Sequence, residues 1–136
     1  MKKIVSALLL LCCIQECFAQ NTRVDSMNKL IAAAGSDTTR INLINKRNVM
    51  LSSTNIDSGI ILNKQAIAAS EAIGYRKGEA NARLSLGTNS CMKGSFDIAA
   101  KNLATAMSLF RSINDSIGQC SVYSGYGMMY GMQSKY

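Results

Sequence analysis

Few side chains in this sequence can do chemistry, and their types exclude more than they suggest. There is no histidine among 136 residues, which removes the commonest general base and the commonest transition-metal ligand. Of the five cysteines, only Cys91 and Cys120 lie beyond the first nineteen residues, without CxxC spacing. Two small buried residues on helices explain them better than a nucleophile, and positions near opposite ends of successive helices argue against a disulfide between them. The acidic residues form no close pair on an apolar stripe that would suggest acid/base work. Gly125-Tyr126-Gly127 has neither the preceding strand nor the following Lys-Ser/Thr of a phosphate loop. The Tyr- and Met-rich run from Tyr123 to Met132 reads as packing surface rather than a ligand site. No catalytic residue, metal or cofactor is expected, and an enzyme remains in view only if Cys91 is a reactive thiol.

The bulk composition points the same way. Fifteen Lys and Arg against eight Asp and Glu give a formal charge of +7. The basic residues stand singly or in pairs, as at Lys46-Arg47 and Arg76-Lys77, rather than in a stripe. That is the pattern of a solvated helix surface and not of a nucleic-acid or lipid face. Hydrophobic residues make up 48% of the chain, but aromatics only 6%, with no Trp. Small apolar side chains must therefore do most of the packing. Proline is absent, so long helices are allowed and glycine supplies the punctuation. Period-2 runs of β-branched and aromatic residues are missing, which argues against a sheet.

The first nineteen residues read as a secretory leader. Lys2-Lys3 precedes an apolar run from Ile4 to Ile14, and Cys17-Phe18-Ala19 offers small residues for cleavage after Ala19. The run is shorter than the roughly 20 apolar residues that span a bilayer. A buried first helix would leave the basic start and small-residue exit unexplained, and no cysteine follows the small residue usual before a lipidated one. The expected product is periplasmic or secreted, with no membrane span after cleavage.

Beyond the leader the elements are helices. Val24, Met27, Leu30 and Ile31 recur at 3 and 4 spacing over 23–34, stopped by Gly35. Asp37 is the expected N-cap of a second helix carrying Ile41, Ile44, Met50 and Leu51, closed by Ser52-Ser53-Thr54-Asn55. A third runs from Ile56 to Ile73 on Ile60, Ile61, Ile67, Ala68 and Ala72. Gly74 to Gly78 is the expected turn, and Glu79 to Met92 the fourth helix. The fifth has the cleanest stripe: Phe96, Ala99, Ala100, Leu103, Ala106, Met107, Phe110 and Ile113. Asn114-Asp115-Ser116 caps a sixth, bearing Val122, Tyr123, Tyr126 and Tyr130. A phrase also repeats at an offset of about 40: Leu86-Gly87 returns as Tyr126-Gly127, Ala66-Ile67 as Ala106-Met107, and Ile56-Asp57 as Phe96-Asp97. Repeated hairpins of this kind stack into an all-α solenoid of about six helices.

Leu86-Gly87 on a first helix, Gly94-Ser95-Phe96 at the turn, and Ala99, Leu103 and Ala106 on the second helix resemble a tetratricopeptide repeat. The wording around Asp37–Lys46 and Ile73–Gly78 resembles the periplasmic repeat regions that precede kinase or DNA-binding output domains in bacterial signalling proteins. The resemblance implies that Gly87 lets two helices approach closely at Ala99. It divides the chain into degenerate hairpins over 23–73, with Lys46-Arg47 where the Leu-Gly pair belongs, a best-formed repeat over 77–113, and an incomplete one over 116–136. It also implies a concave partner-binding face that follows Asn48, Asn81, Leu84, Thr88, Met92, Ser124 and Met128, with Ile44, Cys91 and Ser121 alongside. The expected function is a non-catalytic, extracytoplasmic scaffold for a protein or peptide, the interaction part of a larger signalling protein or a fragment of one, with no nucleic-acid partner. The competing expectation is a structural protein that self-associates through its incomplete last repeat.

Overall fold

A computed structural model describes residues 22–134, so the expected leader lies outside the described residues. Six helices follow one another: α1 over 22–32, α2 Asp37–Ser52, α3 Ile56–Ala72, α4 Arg76–Met92, α5 Phe96–Ser112 and α6 Ser116–Gln133. The described residues contain no strand. From α2 onward each helix packs on the next, and the alternate helices α2, α4 and α6 also touch in series. Antiparallel hairpins are thus stacked in a solenoid-like row, each covered by its neighbours in sequence.

Local sequence explains where the helices stop. Three of them, α3, α4 and α5, end on a left-handed residue: Gly74 at φ 66°, Gly94 at φ 72° and Asn114 at φ 54°. The next residue in each case returns its N–H to a carbonyl in the last turn, Tyr75 to Ser70, Ser95 to Ser90 and Asp115 to Phe110, all at 2.9 Å. These are Schellman closures, which need glycine or asparagine at the left-handed position. The turn after α2 is different: Thr54 and Asn55 both bond back to the Leu51 carbonyl and no residue has positive φ. Helix starts differ a little from expectation. Ser36, not Asp37, caps α2 by accepting from the Thr39 N–H. Gly78 lies inside α4, buried against Tyr75 and Ile41, rather than in a turn.

Helix α2 is one residue shorter than α3, α4 and α5, and this shifts the register of the repeat. Helices α3 and α5 begin 40 residues apart, as do α4 and α6, but α2 and α4 begin 39 apart. Within α2 the partner of Gly87 is therefore Asn48, not Arg47. Burial agrees, since Ile41, Asn48 and Ser52 are buried in α2 where Ala80, Gly87 and Cys91 are buried in α4. The two complete hairpins then differ in kind. In α4/α5, Gly87 faces Leu103 and the Ala99 backbone; a Cβ placed there would come within 2.9 Å of Leu103 Cγ and 3.3 Å of the Ala99 oxygen. In α2/α3 the equivalent residues are Asn48 and Asn63, both fully buried, with neither side-chain nitrogen nor oxygen of either hydrogen-bonded.

The large core belongs to the second hairpin and α6. Ala80, Cys91, Ala99, Leu103, Ala106, Met107, Phe110, Val122 and Met129 form one buried cluster, flanked by Leu84, Phe96, Ile113 and Tyr126. The α5 stripe is buried as its periodicity indicates. On α3 the expected stripe holds in part: Ile67 is buried and Ile60 packs against its cluster, but Ile61, Ala68 and Ala72 are exposed, and Gly59, Asn63, Ala66 and Ser70 make up the rest of the buried side. A smaller cluster of Ala66, Ile67, Ala82 and Leu86 joins α3 to α4.

Two measurements check this architecture. Gly87→Leu should destabilise by about 1–3 kcal/mol through overpacking, whereas Gly127→Leu, one repeat on with no atom within 4 Å, should leave stability unchanged or raise it slightly; equal chemical-denaturation midpoints would refute the pairing of α4 with α5. Replacing Asn48 by Gly and Asn63 by Leu together reproduces the second hairpin's contact in the first. It should stabilise by about 1–3 kcal/mol, because four unpaired buried polar groups are removed; a lower melting temperature than the parent would show that these amides are bonded in solution.

Candidate functional site

The same one-residue shift decides which side chains share the exposed face. With α2 in register with α4, Asn42, Asn45, Lys46, Val49 and Ser53 stand level with Asn81, Leu84, Ser85, Thr88 and Met92. The structure brings these residues together along one groove. Its upper part is a hollow of about 350 Å³ lined by Asn42, Asn45, Lys46, Val49, Asn81, Leu84 and Ser85. Its lower part, of about 230 Å³, is lined by Val49, Ser52, Ser53, Ser85, Thr88, Asn89 and Met92. Val49 and Ser85 belong to both parts, so the hollows are continuous.

Hydrogen bonds hold the floor of this groove and leave its rim available. Asn89 donates to Ser52 Oγ at 3.0 Å, and Ser52 donates in turn to the Asn48 carbonyl at 2.7 Å. Asn45 donates to the Gly78 carbonyl at 2.9 Å, tying α2 to the first turn of α4. Asn42 accepts from the Tyr75 hydroxyl at 2.9 Å. Above these, Val49 and Met92 are half exposed, at 56% and 50%, with apolar surface turned to solvent. The lining contains one cation, Lys46, and no carboxylate.

The residues expected on the face are therefore divided. Asn81, Leu84, Thr88 and Met92 line the groove. Asn48 does not: it is 0% exposed inside the α2/α3 hairpin, because a helix turns about 100° per residue and the 40-residue count places it one position off. Cys91 is likewise fully buried, and Ile44 packs against the α3/α4 cluster. On α6, Ser124 is exposed and donates to the Cys120 carbonyl at 3.3 Å, while Met128 packs against the core. Asn42, Asn45, Lys46 and Val49 were missed on α2. Their signal was the loss of the Gly-Ser dipeptide in the turn before Ile56.

The two thiols lie in different surroundings. Burial pushes Cys91 above the ordinary thiol range, which keeps it protonated at neutral pH, and Cys120 is exposed and free. Among the described residues no group of three or more His, Cys, Asp or Glu could hold a metal ion, and no helix is long and apolar enough to cross a membrane.

Comparison with family models, curated proteins and solved structures returns no match to this chain.

One ion pair links the starts of the alternate helices beyond the groove. Asp115 caps α6 by accepting from the Gly118 N–H at 2.9 Å and also accepts from Lys77 Nζ at 3.0 Å. The Gly118 N–H, then Lys77, hold the Asp115 carboxyl below the usual carboxylate range, and Asp115 raises the Lys77 ammonium above the usual lysine range. A lowered carboxylate contributes stability above about pH 3.9 and loses it as pH falls through its still lower folded value. A raised lysine contributes below about pH 10.4 and loses its contribution at higher pH still. Asp115→Ala should therefore lower the melting temperature at pH 7, and the difference from the parent should narrow at pH 2.5. A constant difference across that range would show that the carboxylate charge is not involved.

Proposed function

We propose that the α2/α4 groove docks an extended peptide or a helical segment of another protein, and that the chain is a non-catalytic scaffold of tetratricopeptide-repeat type. The observation that carries this reading is the continuous groove itself. It combines amide and hydroxyl groups able to meet a peptide backbone with two exposed apolar side chains spaced to receive side chains of the partner. A lining with Lys46 and no acidic residue suits a neutral or mildly acidic segment and repels a basic one. The basic N-terminal segment supports placing this scaffold outside the cytoplasm, as the interaction part of a signalling protein or a fragment of one.

The test is selection of peptides from a random displayed library on the purified chain. Enriched peptides should lose at least tenfold in affinity to a Val49→Glu/Met92→Glu variant and keep their affinity for Ile117→Glu, a change at an exposed site away from the groove. Peptides that bind all three proteins equally would sink the groove as the docking site.

A further inference from the structure

Buried polar groups without partners are confined to one side of the groove. Among the described residues, six buried side-chain nitrogen and oxygen atoms lack a hydrogen bond: Asn45 Oδ1, Arg47 Nε and both polar atoms of Asn48 on α2, and both of Asn63 on α3. The apolar side of α2 is thin as well. Its buried residues are Ile41, Asn45, Asn48 and Ser52, so Ile41 is its one fully enclosed apolar side chain, with Leu43, Ile44, Met50 and Leu51 only half-buried. Three side-chain hydrogen bonds tie α2 to α4, from Asn45 to the Gly78 carbonyl, from Asn89 to Ser52 and from Tyr75 to Asn42. Among the described residues no ion pair joins α2 to α3 or α4.

Helix α3 is seated differently. Its Ala66 and Ile67 are buried in one cluster with Ala82 and Leu86 of α4, and Arg83 of α4 bonds to Glu71 of α3 at 2.7 Å. Between α2 and α3, the residues Ser53, Thr54 and Asn55 are all exposed, so rotation of the backbone there uncovers no buried side chain of the turn. Separation of α2 from its neighbours also lets water reach the four unpaired atoms that α2 carries, which offsets part of the cost of the lost contacts.

We propose that α2 is a hinged wall of the groove, opening as a unit about Ser53–Asn55 while α3 to α6 stay packed. Asn42, Asn45, Lys46 and Val49 leave with it, so the groove exists only while α2 is seated. A partner that needs both walls binds the closed form and holds it closed. Its apparent dissociation constant is then the intrinsic one divided by the closed fraction. This coupling rests on the docking reading given above, whereas the opening itself does not. Neither Ile41 nor Asn48 lines the groove, so substitutions at these positions act on a partner through closure.

Native-state hydrogen exchange on the purified chain tests the opening. The α2 amides from Ile41 to Leu51 should share one opening free energy, lower than those of α3 and α5 and with a shallower denaturant dependence than global unfolding. Rates graded from the helix ends inward would mean fraying, and α2 exchange matching that of α3 or α5 would mean a larger opening unit; either result overturns the proposal. Asn48→Gly/Asn63→Leu should slow α2 exchange by about tenfold, and Ile41→Ala should speed it by about tenfold or more. Exchange of α2 unchanged by both also overturns it. Library-selected peptides that lose affinity for Val49→Glu/Met92→Glu give the second readout. At about a hundred times its dissociation constant, such a peptide should slow α2 exchange about a hundredfold, and Ile41→Ala should weaken its binding. Undiminished α2 exchange with the peptide bound would mean that the opening leaves the groove whole, and overturns the proposal. Peptides indifferent to the Val49→Glu/Met92→Glu change sink the docking reading alone, because the exchange pattern of the free chain still decides whether α2 is hinged.

Discussion

The fold depends on how closely the backbones can approach α4. That helix touches α2, α3, α5 and α6, and the side left to solvent is the one that lines the groove. A helix surrounded in this way cannot carry large side chains on every face without holding its neighbours apart. Its sequence answers this with Gly78, Ala80, Ala82, Gly87, Ser90 and Cys91, all buried. Bulk comes instead from its partners: Leu103, Met107 and Phe110 from α5, and Val122 and Met129 from α6. A chain with few aromatics can form a dense core in this way, because the interdigitation of large and small residues, not aromatic mass, fills the space.

The hairpin before α4 is built to a different rule. Where α4/α5 sets a glycine against leucine, α2/α3 has the buried Asn48 and Asn63 in the equivalent positions, and Ser52 and Ser70 are buried as well. Ser52 and Ser70 satisfy themselves by bonding to carbonyls four residues back. The two asparagines have no such partner, and unpaired buried amides cost stability rather than adding to it. Most of the cohesion of the molecule therefore sits in α4, α5 and α6, and the α2/α3 hairpin is the part expected to open first in local unfolding.

The groove is a product of stacking and not of any one helix. Half of its lining comes from α2 and half from α4, whose residues lie almost 40 positions apart in the chain. What aligns the two halves is the Asn45 and Asn89 bonding between the helices together with the small residues that let them approach. Surface ion pairs such as Lys93 with Asp57 and Arg40 with Asp37 involve exposed groups and add little to this alignment. Polar residues within the interface, rather than charges around it, position the site.

The sequence alone determined that this chain is helical, that it is built from repeated hairpins, and where three of its turns fall. Those features are local: the 3-and-4 spacing of the α5 stripe, the left-handed Gly74, Gly94 and Asn114, and the acceptor side chain of Asp115 each act within a few residues. It also identified Asn81, Leu84, Thr88 and Met92 as members of one exposed face, because α4 follows the dominant period. Tertiary packing alone decided the α2 side of that face. A single residue fewer between the starts of α2 and α3 rotates the comparison of α2 with α4 by about 100°, which carries Asn48 into the hairpin and brings Val49 to the groove. Packing also decided which face of α3 is buried, since the apolar Ile61 and Ala68 are exposed while the polar Asn63 and Ser70 are buried. Periodicity reports that a helix has a buried side; which side it is depends on how near the neighbouring backbone can come, and that distance is a property of two helices at once.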